Sequence, residues 1–299
     1  MADVKQQLTA YAQRTEQYML DQIGAMEQET QEMTMDHLYG AMRHSLTAGG
    51  KRIRPALVYA FCEACGSKPD FADSAACAME LSHTASLIFD DLPALDNDDL
   101  RRGKPSCHKA YGESTAILAG LALVNAAYQF MAEDKLLNDS QKAALCGTLS
   151  RREGAPGMVG GELKDMDYET QETVTLAEIE RMCLAKTGAF MASSCEMGCI
   201  CGGGTPEQIA AARDFGYAVG LAFQIIDDIL DVTSTDEMLG KPVGSDAEEG
   251  KTTFVTLMGI DDAKTRAAEL TAQAHKCLDR FSHTEFLHEL TDALLVRVQ

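Results

Sequence analysis

Two short runs of aspartate carry the chemistry of this 299-residue chain, Asp90-Asp91-Leu92-Pro93-Ala94-Leu95-Asp96 and Asp227-Asp228-Ile229-Leu230-Asp231. A helical residue advances by about 100°, so Asp227 and Asp231 lie within about 40° of one another on one face, one turn apart. Gln224, Gly220 and Gly216 continue that stripe, while Phe223, Ile225, Ile226, Ile229 and Leu230 cover the remainder. Unpaired carboxylates on so apolar a helix are severely costly, so they call for a cation. In the first run Pro93 disfavours helix at Leu92. The break lets Asp96 return towards Asp90, whereas an unbroken helix would turn it about 240° away. His83 stands seven residues before Asp90, on nearly the same face, either as a satisfied core histidine or as part of the site.

Carboxylates without a nearby Cys or His set favour a hard cation, and Mg²⁺ takes one or two carboxylates, keeps waters, and completes its shell with phosphate oxygens. Two such clusters facing one another would hold Mg²⁺ and a diphosphate between them. Lys51, Arg54, Arg101, Arg102, Lys186, Lys241 and Lys251 sit beside Gly-rich breaks or on apolar faces. Arg101 and Arg102 offer planar donor forks to phosphate.

The elements that must position these groups are helices. Only 7 Pro and no Trp occur, and no segment sustains a β alternation. Helices are predicted at about 55–65, 71–92, 111–133, 140–152, 157–167, 176–198, 206–233 and 252–282, after one or two over 1–47. No linker or composition shift divides the chain. The expectation is a single all-α domain over 1–299, a bundle of roughly ten helices. A charge of −20, from 26 basic against 46 acidic residues, excludes nucleic acid as a partner. The ten cysteines lack zinc-site spacing and read as reduced small hydrophobes. The apolar stretch 116–132 reads as a buried helix rather than a stable membrane insertion. With no apolar run at the N-terminus, the expected compartment is the cytoplasm.

The runs GGKRIRPAL (49–57), SLIFDDLPALDNDDLRRGKP (86–105), AKTG (185–188), FQIIDDILD (223–231) and LGKPVGSDAEEGKTT (239–253) resemble the trans-isoprenyl diphosphate synthases. The likeness is to the bacterial short-chain type, farnesyl and geranylgeranyl diphosphate synthases. It implies an isoprenoid synthase fold around a deep central cavity, a homodimer, and three Mg²⁺ per active site with Mn²⁺ as a substitute. The implied reaction is head-to-tail condensation of isopentenyl diphosphate with C5 and C10 allylic diphosphates to farnesyl diphosphate. By the same resemblance Asp90, Asp91, Asp96, Asp227, Asp228 and Asp231 hold the metals. Arg101, Lys186, Thr187, Gln224 and Lys241 match allylic-substrate contacts, Lys186, Thr187 and Gln224 being the catalytic set. Lys51, Arg54, His83 and Arg102 match the isopentenyl diphosphate pocket, and Lys251 a closing C-terminal segment.

Several positions depart from the family pattern. Phe89 replaces a frequent His, Leu121 an Asp, and Glu162 the Gln of Gly-Met-x-Gly-Gly-Gln. Ala85 stands five before Asp90, where farnesyl-specific relatives carry an aromatic. With Ser86 it leaves a wide tail channel, which makes a C20 geranylgeranyl product the alternative. A non-catalytic partner subunit would lack one Asp cluster or the cations, and a terpene cyclase would lack Asp227–Asp231 in this form. Both readings are disfavoured.

Overall fold

The computed structural model describes residues 2–233 and 251–295. Among these residues the fold is all-α apart from one two-residue ladder. Helices α1 (Ala2–Glu29) and α2 (Asp36–Leu46) form the rim expected over 1–47. The chain then turns through Gly49, Gly50 and Arg52, all at positive φ, into α3 (Ile53–Ala64), with Pro55 in its first turn. Helix α4 (Asp73–Asp90) is buried nearly all round and delivers the first aspartates at its C-terminal end. The ladder, Leu100–Arg101 against Lys104–Pro105, is a hairpin whose two turn residues, Arg102 and Gly103, have φ of 53° and 76°. That is the geometry favoured in two-residue hairpins, and it presents Arg101 and Arg102 side by side.

Short α5 (Cys107–Tyr111) leads through Gly112 into α6 (Glu113–Ala132), followed by α7 (Asp139–Glu153) and α8 (Met158–Glu169). The helix expected over 176–198 divides into α9 (Leu176–Cys183), a π turn (Leu184–Gly188) and α10 (Ala189–Cys201). Helix α11 spans Pro206–Thr233, as predicted. The stretch expected as one helix over 252–282 breaks at Gly259, whose φ is 81°, giving α12 (Phe254–Met258) and α13 (Ile260–Cys277). A further helix, α14 (Glu285–Leu295), was not expected; its Leu287, Leu290 and Leu294 are buried.

Two adjoining cores meet along α11. Phe215 and Val219 join a large core with α3, α4, α6 and α10, while Leu221, Ile225, Ile226 and Ile229 join a smaller one with α9, α12 and α13. Close helix approach depends on glycine. A Cβ on Gly216 would lie 2.6 Å from the Ala192 nitrogen, and one on Gly220 would lie 2.8 Å from Gly188 Cα. The small residues behind Asp227 are thus the seam between α10 and α11. Seven of the ten cysteines are buried and all are free thiols, matching their reading as small hydrophobes.

Helix α6 departs from the buried helix expected. It is long and apolar enough, by composition, to cross a membrane, and Ala116, Ala119, Gly120 and Leu123 bury one face. Its opposite face exposes Ile117, Leu118 and Leu121, and α8 likewise exposes Val159 and Leu163.

Candidate active site

At the end of α4 the chain turns back on itself. The Asp96 amide donates to the Asp90 carbonyl at 2.9 Å, so the break at Pro93 returns the third aspartate to the first, as expected. Burial, and then the charge of Glu162, push the Asp90 carboxyl up to about 7, against the opposing pull of Lys186. Asp91 is buried and accepts from Arg101 Nε at 2.8 Å, while the same guanidinium reaches Asp98 at 3.1 Å. Asp91 therefore braces Arg101 on its hairpin.

Two turns earlier on α4 the sign of the charge reverses. Arg54 donates to His83 Nε2 at 3.3 Å, which leaves the histidine proton on Nδ1. Burial, followed by the charges of Arg54, Arg102, Arg52 and Arg101, holds His83 well below the usual histidine range. Arg54 Nε is buried without a hydrogen-bond partner. Arg102 donates to the Gly49 carbonyl and lies so close over Gly50 that a Cβ there would meet its guanidinium carbon at 2.7 Å. Arg52 is structural, bound to Glu80, to the Leu46 carbonyl at 2.5 Å and to Glu16 at 3.2 Å. Lys51 is exposed on the loop ahead of α3. The guanidinium groups of Arg54, Arg101 and Arg102 thus gather around His83 in a chain of charge −20, an arrangement that suits an anion.

The third part is the π turn, a feature that recurs at functional sites because it bulges side chains out of the helical line. Lys186 on this turn pairs with Asp165 at 2.7 Å and Glu162 at 2.9 Å, both on α8. The contact is possible because Gly161 lets the two backbones touch; a Cβ there would sit 2.7 Å from Lys186 Cα. Thr187 donates to Gln224 Oε1 at 3.5 Å, Gln224 Nε2 donates to Asp228 Oδ1 at 3.1 Å, and Asp228 Oδ2 accepts from the Phe254 amide at 2.9 Å. A carboxylate accepts only, so Asp228 fixes the Gln224 amide with its oxygen towards Thr187. A cavity of about 210 Å³ lies among Asp165, Lys186, Thr187, Gln224, Asp228 and Lys251.

The structure thus groups Lys186, Thr187, Gln224, Asp228 and Lys251 around one hollow, and Arg54, His83, Arg101 and Arg102 in one cationic cluster. Asp227 and Asp231 lie on the same turns of α11, half-buried and buried. Lys241 lies outside the described residues. Ala85 is wholly buried; Ser86 donates to the His83 carbonyl at 2.9 Å. Phe89, one turn beyond Ala85, packs its ring over Gly120 of α6. The bracing roles of Asp91 and Asp228, and the hold of Glu162 and Asp165 on Lys186, escaped the sequence. Only the departure at Glu162 marked that spot. A further cavity of about 490 Å³ lies elsewhere, against Tyr11, Glu63 and Phe286.

The polyprenyl synthetase family profile matches residues 35–291. The chain belongs to the polyprenyl synthetase family. It is 44% identical over 245 residues to the chloroplastic geranylgeranyl pyrophosphate synthase of Capsicum annuum, covering 82% of this chain and 66% of that protein. The chain thus spans just under two thirds of that relative's length. It is 41% identical to the dimethylallyltranstransferase of Fischerella ambigua over 88% of this chain and 76% of that one. Among solved structures, an FPP/GFPP synthase from Zymomonas mobilis superposes with a TM-score of 0.86 at 32% identity, over 98% of this chain and 99% of that one. A geranylgeranyl pyrophosphate synthetase from Pyrococcus horikoshii gives 0.89 at 29% identity, over 98% of each chain.

The arginine cluster makes a pH prediction. A histidine with a lowered folded value binds fewer protons folded than unfolded. Stability is therefore lost as pH falls from the ordinary histidine range towards the depressed one. NMR titration should find His83 still neutral at about pH 6, below the unperturbed histidine value. Added inorganic diphosphate should raise its pKa. Ordinary titration, unmoved by diphosphate, would contradict the anion site.

Proposed function

We propose that this protein elongates prenyl diphosphates, joining isopentenyl diphosphate to an allylic diphosphate with loss of diphosphate. The observation that supports this best is the pairing, on one helix, of a carboxylate cluster at Asp90 with a guanidinium cluster around His83. One reactant would be held through a metal, the other through arginine. The donor set fits Mg²⁺. It is made of hard oxygens, and Asp90 is raised by burial and a neighbouring carboxylate, a cluster that a cation relieves. Among the described residues no three Asp, Glu, His or Cys side chains converge on a metal position, so diphosphate oxygens would complete the shell. Asp90, Asp91 and Asp96 on one side and Asp227, Asp228 and Asp231 on the other would hold the ions, three per site, with Mn²⁺ as a substitute. When bound, Mg²⁺ stabilises negative charge developing on a departing diphosphate.

The chain's own residues would do the rest. Lys186, Arg101, Lys251 and Lys241 bind the leaving diphosphate. The Thr187 hydroxyl and the Gln224 oxygen, held in place by Asp228, turn negative dipoles towards the allylic cation without offering a strong nucleophile. Arg54, Arg102, Lys51 and His83 take the second diphosphate, with the unpartnered Arg54 Nε as one donor. The lost proton passes to released diphosphate. Exclusion of water protects the cation from hydrolysis.

For product length, small Ala85 and Ser86 and relatives named geranylgeranyl synthases favour C20 over the C15 farnesyl product. The exposed Ile117, Leu118 and Leu121 on one face of α6 support a homodimer, since a row of exposed Ile and Leu side chains suits a covered face. Light scattering should return a dimer; a monomer at micromolar concentration would remove that element.

The decisive assay supplies Mg²⁺, isopentenyl diphosphate and each of the C5, C10 and C15 allylic diphosphates, followed by chromatography of dephosphorylated products. Elongation to C20, abolished by EDTA, is expected, and Asp90→Ala should lower turnover by hundreds-fold or more. Full activity in EDTA, or in Asp90→Ala, would refute the metal-dependent reading. Products that stop wholly at C15 would show that Ala85 and Ser86 do not set the channel floor.

A further inference from the structure

Lys186 is the one described cation on the π turn, and two carboxylates hold it. Its Nζ lies 2.7 Å from Asp165 Oδ2 and 2.9 Å from Glu162 Oε2. One ammonium against two carboxylates leaves this group with a net negative charge. Glu162 is the more enclosed of the two, with its side chain 13% exposed against 26% for Asp165. It also follows Gly161, the residue that presses α8 onto the Lys186 backbone, so its place is fixed by packing. Lys186 and Asp165 line the same hollow as Asp228 of the second aspartate run, so the charge of this group lies beside the candidate metal ligands. A neutral amide in this position, which the family pattern leads one to expect, would hold Lys186 without adding that charge.

We infer that Glu162 is a positioning and charge-setting residue that divides the work at this site between cation and anion: it ties Lys186 back, so that diphosphate binds weakly until a divalent ion is present. The proposal rests on the prenyl-elongation reading for its place in turnover, but not for its binding consequences. Without metal, an incoming diphosphate must compete with two carboxylates for the Lys186 ammonium and meet their uncompensated charge. A divalent ion is favoured by that same charge, and once bound it offsets the repulsion. Metal therefore precedes substrate in the order of binding. Lys186 then leaves one carboxylate for a phosphate oxygen while Asp165 still orients it.

Glu162→Gln removes the charge at nearly constant shape and keeps an acceptor for Lys186. Two titrations read binding without turnover: inorganic diphosphate in EDTA, by calorimetry, and Mn²⁺ alone, by electron paramagnetic resonance. The variant should bind metal-free diphosphate more tightly and Mn²⁺ more weakly, each by about fivefold to tenfold, the effect of one charge in a partly hydrated site. Glu162→Asp, which keeps the charge, should restore Mn²⁺ affinity. In turnover, the KM for the allylic diphosphate should fall and the Mg²⁺ needed for half-maximal rate should rise, with the isopentenyl diphosphate KM unmoved. Unchanged affinities, or both weakened together alongside a lower melting midpoint, would overturn the inference and leave Glu162 a packing residue. If the wild type transfers no prenyl group, the functional reading fails, and the two titrations still decide the role of Glu162.

Discussion

Two turns of α4 separate His83 from Asp90, about 10 Å of helix rise, and the rest of the site depends on that separation. One end of the segment gathers guanidinium groups and the other gathers carboxylates. Placed together they would neutralise one another, and neither would bind a ligand. Helical rigidity keeps them apart, with His83 and Asp90 both half-buried on an otherwise largely buried helix. Between the two ends, Asp91 and Arg101 form an ion pair that links them, and Asp91 is buried enough to hold that guanidinium in a fixed direction. Breaking it would leave a buried charge unpaired, the costly case.

The second half of the site is set by backbone contact rather than by charge. Gly188 against Gly220, and Gly161 against Lys186, bring helix backbones closer than any Cβ would allow. Those approaches put Thr187 within reach of Gln224 and Lys186 within reach of α8. Across the π turn two consecutive residues address different neighbours, Lys186 pairing with Asp165 on α8 and Thr187 donating to Gln224 on α11. Asp228 also accepts from the Phe254 amide, so the second aspartate run both lines the hollow and ties α12 to α11.

Much of this was legible in the amino-acid order. The 3.6-residue period gives α11 its bounds, and Pro93 marks the turn that returns Asp96 to Asp90. Gly49, Gly50 and the Arg-Gly pair at 102–103 mark the two cation-bearing breaks. The division of 176–198 was not legible, because Leu184–Gly188 has ordinary helical composition and its π geometry comes from packing on α8 and α11. Gly259 was read through as a helix interior although its positive φ ends α12. Helix α14 is short, and its leucines read as helical only once α13 and α1 are there to cover them. Asp91 and Asp228 look like their neighbours in sequence; only the fold shows that each also accepts from an adjacent donor.

The most direct test is a crystal of the protein grown with Mn²⁺ and an unreactive allylic thiolodiphosphate, with the metals located by anomalous scattering. The account predicts anomalous peaks between the two aspartate runs, ligated by Asp90 and Asp96 on one side and by Asp227 or Asp231 on the other, with diphosphate oxygens completing each shell. Diphosphate bound at the arginine cluster alone, with no metal between the aspartate runs, would contradict it.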